Sequence, residues 1–140
     1  MYSLKTEHSF DSAHFLSGYE GKCSNIHGHR WRVVIEVCDK SVEVKGQTKG
    51  MIVDFGTLKE DVKNEADAFD HAFIIEKNTL KQKTLEALKE ENFKIIEVDF
   101  RPTAENFAKY FYDRFKELGY NIRQAVVYET PNNCAAYYEV

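Results

Sequence analysis

The chain has 140 residues, 43% of them hydrophobic and 14% aromatic, which is enough for one well-packed core and too little for two. A net charge of -4, with lysines and arginines scattered among the acids, argues against a phosphate-backbone binder, so nucleic acid is not an expected partner. No window approaches 18 uninterrupted apolar residues, and MYSLKTEHSF lacks the basic-then-apolar layout of an export signal. The expectation is a cytoplasmic protein with no membrane contact, whose three well-separated cysteines are reduced thiols.

In chain order, Ser3 to Phe10 alternates loosely and predicts a strand. Ile26 to Cys38 predicts a stronger one, with His27, His29, Trp31, Val33, Ile35 and Val37 on one core-facing row. Gly50 to Phe55 is a short apolar run. Beyond it Thr57 and Glu60 have capping-box spacing, and Leu58, Val62, Ala66 and Phe69 recur at helical intervals, predicting a helix of about three turns. Residues 76–93, rich in Lys, Glu and Leu, predict a solvated helical excursion, and Lys94 to Phe100 returns to a strand-like pattern. Pro102 and Thr103 open the clearest helix, striped by Ala104, Phe107, Ala108, Phe111, Phe115 and Leu118 and ended by Gly119. Ile122 to Glu129 and Cys134 to Val140 predict two strands joined by Pro131, Asn132 and Asn133. The order ββααββ predicts an α+β fold, a single domain over 1–140, with an antiparallel four-stranded sheet and two main helices on one face.

In HGH the two imidazoles are one residue apart, so on a strand His27 and His29 project from the same face toward one ion, with Gly28 leaving space between them. His14, on the neighbouring strand, is the best third ligand, and three neutral imidazoles suit zinc with an open position. Without His14, an HGH pair would equally read as two polar residues at a strand entrance. Cys23 lies four residues before His27. Either its thiolate closes a structural tetrahedron, or it points past the ion and serves as a base; the spacing permits both.

Asp70 precedes His71 in FDHAF, and a carboxylate can orient a histidine as a general acid. Adjacent residues in an extended segment point apart, so the pair standing alone reads as a helix-end surface feature. Glu129 can accept two hydrogen bonds from a ring amine and its neighbouring N–H, or cap a turn. Thr103 and Glu105 read most simply as an N-cap and a first-turn acid. His8 reads as a strand surface residue, and Cys38 and Cys134 as core or sheet-edge residues.

FDSAHFL, CSNIHGHRW, GMIVDF, FDHAF, PTAENFAKY and ETPNNCAAY occur in the order seen in the 6-pyruvoyltetrahydropterin synthase and 6-carboxytetrahydropterin synthase superfamily, which the chain resembles from about residue 5 to its end. The resemblance implies His14, His27 and His29 as zinc ligands, Cys23 as the proton-abstracting thiol, and Asp70 with His71 as its acid/base partner. It implies Thr103, Glu105 and Glu129 as pterin-holding residues, with Glu129 the principal anchor. It further implies a tunnelling fold with active sites at subunit interfaces, and a homo-oligomer, a hexamer in the first instance. Three residues between Cys23 and His27 resemble the bacterial 6-carboxytetrahydropterin synthases of the queuosine (7-deazaguanine) route, while the NN after ETP resembles the pyruvoyl-forming enzymes. The stretch from His71 to Pro102 is longer than usual in the family.

The implied substrate is the small molecule 7,8-dihydroneopterin triphosphate. The preferred implied outcome is carbon–carbon cleavage to 6-carboxytetrahydropterin, acetaldehyde and triphosphate. The alternative eliminates triphosphate to give 6-pyruvoyltetrahydropterin. A reading from another class is a non-catalytic, zinc-stabilised pterin-binding oligomer, in which Cys23 is a structural ligand.

Overall fold

The computed structural model describes residues 1–140. Two long strands, β1 (Tyr2–His14) and β2 (His27–Asp39), pair antiparallel in an unbroken register from Tyr2 opposite Asp39 to His14 opposite His27. Helix α1 (Phe55–Asp67), strand β3 (Ala72–Glu76), helix α2 (Gln82–Glu90) and strand β4 (Ile95–Val98) follow. Helix α3 (Ala104–Glu117) and strands β5 (Ile122–Thr130) and β6 (Asn133–Tyr137) complete the chain.

The α+β class and the pairing of helices on one face are as expected, but the four-stranded antiparallel sheet and the order ββααββ are not. The sheet has six strands in the order β4-β3-β1-β2-β5-β6 and is mixed, because β3 runs parallel to both β1 and β4. The chain order is ββαβαβαββ with three helices. The cause is local: Ala72, Ile74 and Ile75 are all buried, so β3 is a short apolar run without the polar alternation that marks a half-exposed strand.

Odd positions of β2 fill the core as its alternation requires: Trp31, Val33 and Ile35 are fully buried and Val37 nearly so. Opposite them lie Leu58, Val62 and Ala66 of α1 and Phe107, Ala108, Phe111 and Phe115 of α3, in one cluster with Phe10 and Phe69. Helix α1 begins one turn earlier than its capping-box spacing predicts. Asp54, not Thr57, is the N-cap, its carboxylate accepting from the amides of Gly56 at 2.7 Å and Thr57 at 3.3 Å. Helix α3 is capped as expected: Thr103 Oγ1 accepts from the Asn106 amide, and Gly119 follows at φ 94° in the left-handed region. Helix α2 buries no residue, in keeping with its charged sequence. No helix is long and apolar enough to cross a membrane.

Candidate metal and active site

The β1–β2 register sets His14 against His27 and Ser12 against His29, and the alternation of both strands turns the three imidazoles to one face. Their ligand atoms all lie within 4.8 Å of one another. Trp31 forms the floor, its ring edge-on to His14 at 5.0 Å and to His29 at 5.4 Å.

The outward ring nitrogens fix the tautomers. His14 Nδ1 donates to the Pro102 carbonyl at 2.7 Å, and His27 Nδ1 donates to the Asn25 carbonyl at 2.7 Å. A carbonyl oxygen only accepts, so in each neutral ring the proton is on Nδ1 and Nε2 carries a lone pair. The two Nε2 atoms nevertheless face each other at 3.1 Å, and His29 Nε2 beside them is buried with no hydrogen-bond partner. Burial lowers the pKa of His14 to about 4 and pushes that of His29 down as well, so added protons are a poor way to satisfy the facing lone pairs. A cation bound by three neutral imidazoles is a good one, and the donor set fits zinc.

Cys23 sits half-buried in a single 3-10 turn, Lys22–Ser24, and is outside the group of mutually close ligand atoms. Gly28, read as clearing space between the histidines, has another character. A Cβ there would meet only the Ser12 carbonyl at 3.5 Å, an ordinary contact.

Residues 3–140 match the family model described as 6-pyruvoyl tetrahydropterin synthase. The chain belongs to this family. It is 35% identical to a 6-carboxy-5,6,7,8-tetrahydropterin synthase of Haemophilus influenzae, over 99% of this chain and 100% of that one. It is also 36% identical to the enzyme of the same name from Aquifex aeolicus, over 84% of this chain and 76% of that one. Among solved structures, an uncharacterized protein, WS1659, of Wolinella succinogenes superposes with a TM-score of 0.76 at 19% identity, covering 99% of this chain and 98% of that one. A Plasmodium vivax 6-pyruvoyltetrahydropterin synthase gives 0.70 at 18%, covering 99% and 97%. This tetrahydropterin synthase family member is a lyase.

Within the family member the remaining predicted residues fall into three places. Glu129 lies at the end of β5 with Oε1 3.5 Å from His29 Nε2, against a cavity of about 460 Å³ lined also by Arg30, Arg32 and Tyr128. Thr103 and Glu105 do not line that cavity; they sit at the start of α3, next to the Pro102 carbonyl that holds His14.

Asp70 and His71 do meet, contrary to the argument that neighbours point apart. His71 stands at φ 55°, a left-handed conformation, and this turn brings its Nδ1 2.8 Å from Asp70 Oδ2. The pair is anchored to β1, the Asp11 amide donating to Asp70 Oδ1 at 2.8 Å and the His71 amide donating to the Asp11 carbonyl at 2.7 Å. The Asp11 amide above all, with His71 and Lys94 adding to it, holds the Asp70 carboxyl below its ordinary range. The His71 side chain is 80% exposed, and the dyad lines a different cavity, with Glu7, Asp11 and Arg30.

Sequence reasoning missed Pro102, Asn25 and Asp11, each of which orients a functional side chain through its backbone. A backbone partner has no residue-type signature, and Pro102 is 88 residues from His14, so nothing in the sequence could have named it.

Proposed function

We propose that the chain is a zinc-dependent 6-carboxytetrahydropterin synthase, converting 7,8-dihydroneopterin triphosphate to 6-carboxytetrahydropterin, acetaldehyde and triphosphate on the cytoplasmic queuosine (7-deazaguanine) route. The observation that carries the metal is the convergence of His14, His27 and His29 with two Nε2 lone pairs 3.1 Å apart. The relatives named for the carboxy-forming activity, and the three residues between Cys23 and His27, favour this product over the pyruvoyl pterin.

Bound zinc would supply Lewis acidity toward the hydroxyls of the substrate side chain. In this reading Cys23, outside the ligand group, removes a proton from that side chain, and His71, oriented by Asp70, returns one. Glu129 accepts from the pterin's amine and ring N–H, with Thr103 and Glu105 gripping the same ring system from the start of α3. His29 and Glu129 line one cavity and the Asp70–His71 dyad another that shares Ser9 and Arg30 with it, and in this reading the dyad that completes a site comes from a second copy in a homo-oligomer.

The test is mass spectrometry of the products formed by the zinc-loaded protein from 7,8-dihydroneopterin triphosphate. A carboxylated pterin with acetaldehyde is expected. A pyruvoyl pterin without acetaldehyde, the outcome the Asn132-Asn133 pair would favour, overturns the product assignment. Absence of turnover overturns the enzyme reading in favour of a zinc-stabilised pterin-binding oligomer.

A further inference from the structure

The loop that carries Cys23 is held mostly by hydrogen bonds within itself, with few to the rest of the chain. Residues 18–22 are exposed, and the loop closes on itself through the Leu16 amide and the Cys23 carbonyl at 2.9 Å. Tyr19 folds back over Gly21, where φ is 154° and a Cβ would lie 2.7 Å from Tyr19 Cε1, so this tight return is built around a glycine. Two hydrogen bonds connect residues 15–25 to the rest of the chain. One is the His27 bond to the Asn25 carbonyl. The other comes from far away in sequence: Arg101 Nη2 donates to the Ser17 carbonyl at 3.1 Å, across 84 residues. The same guanidinium lies over the Tyr19 ring, 5.7 Å from its centroid.

Arg101 is itself fixed. Its carbonyl accepts from Asn106 Nδ2 at 2.9 Å and from the Thr103 amide at 2.7 Å. Phe100 before it packs edge-on against Phe107 at 5.5 Å, and Pro102 after it is buried and supplies the carbonyl that orients His14. The short link between β4 and α3 therefore braces both halves of the site, His14 through a backbone carbonyl and the Cys23 loop through a side chain. Arg101 Nε is buried without a hydrogen-bond partner, so the guanidinium pose is not the one that best satisfies arginine alone.

We propose that Arg101 is a positioning residue for Cys23, tying the loop that bears the thiol to the platform that orients the metal ligand His14. This rests on the reading of Cys23 as the proton-abstracting thiol. A guanidinium bond to a carbonyl is charge-assisted, and losing it frees the loop without touching the histidines.

Arg101→Met and Arg101→Lys, zinc-loaded, are compared with the wild type by hydrogen exchange and by steady-state kinetics. In Arg101→Met, amide exchange over residues 16–25 is expected to quicken about tenfold while the core of α3 and β2 keeps its protection. Zinc content stays at the wild-type level, and kcat falls about tenfold or more with KM within roughly twofold. Arg101→Lys, which keeps the charge but not the fork, falls between the two. Unchanged exchange over 16–25, unchanged kcat despite faster exchange, or zinc loss with exchange quickened throughout the chain would each overturn the proposal. Exchange is read without substrate, so a wild type with no turnover, which defeats the enzyme reading, still leaves the tie itself decided by the exchange over 16–25.

Discussion

At the residue scale, the site is governed by where protons cannot go. His14 is 1% exposed with Nδ1 committed to Pro102, and burial holds its pKa near 4. Its folded pKa lies below the ordinary value of 6.5, so the unfolded chain binds the proton first as pH falls. The neutral-ring contribution is intact above pH 6.5 and is lost between 6.5 and about 4, amounting to about 3 kcal/mol from His14, with His29 acting in the same direction. Urea unfolding of the metal-free protein is therefore expected to show lower stability at pH 5 than at pH 7; equal midpoints would contradict the burial argument.

The dyad allows a cleaner separation of backbone from chemistry. His71→Asn keeps a residue that tolerates a left-handed φ, so stability should change by no more than about 0.5 kcal/mol. Turnover should fall by about a hundredfold or more, because the ring is gone. The grouping of His14, His27 and His29 was legible from strand parity together with the nearness of His14 in sequence. The dyad was legible only through the family resemblance, because the argument against it assumed an extended backbone and His71 is not extended.

At the element scale, the start of α3 does double duty as helix terminus and, through the preceding Pro102 carbonyl, as support for His14. Thr103→Ala removes the cap bond to Asn106 and should cost about 1 kcal/mol, seen as a melting temperature lower by roughly 3–5 °C. The amphipathic stripe of α3 made that helix plain in the sequence, and Gly119 made its end plain. Strand β3 was hidden for the opposite reason. It lies between β1 and β4 with Ala72, Ile74 and Ile75 all buried, and a four-residue apolar run has no periodicity to read. With β3 unseen, β4 had no visible partner, and the sheet came out two strands short.

At the scale of the whole molecule, a six-stranded sheet is left with two open edges, β4 and β6. His29 with Glu129, and the Asp70–His71 dyad, line two cavities of the same chain that share Ser9 and Arg30. The open edges suit assembly with further copies, and the proposed sharing of a site between subunits has a direct consequence. Cys23→Ala and His71→Ala variants, each inactive alone, should recover activity when mixed under exchange of subunits, to roughly a quarter of the wild-type level for random pairing across one interface. Absence of recovery would place both groups in one chain's site. The sequence could not show this separation, because it depends on which cavity each residue lines and not on residue type.

The central claim is that three histidines alone hold the metal while Cys23 is free for chemistry. It is tested most directly by the zinc stoichiometry and turnover of Cys23→Ala, measured on the same preparation. Zinc at the wild-type level, an unchanged fold and no turnover are expected. Loss of zinc together with folding stability would make Cys23 a structural ligand and contradict it.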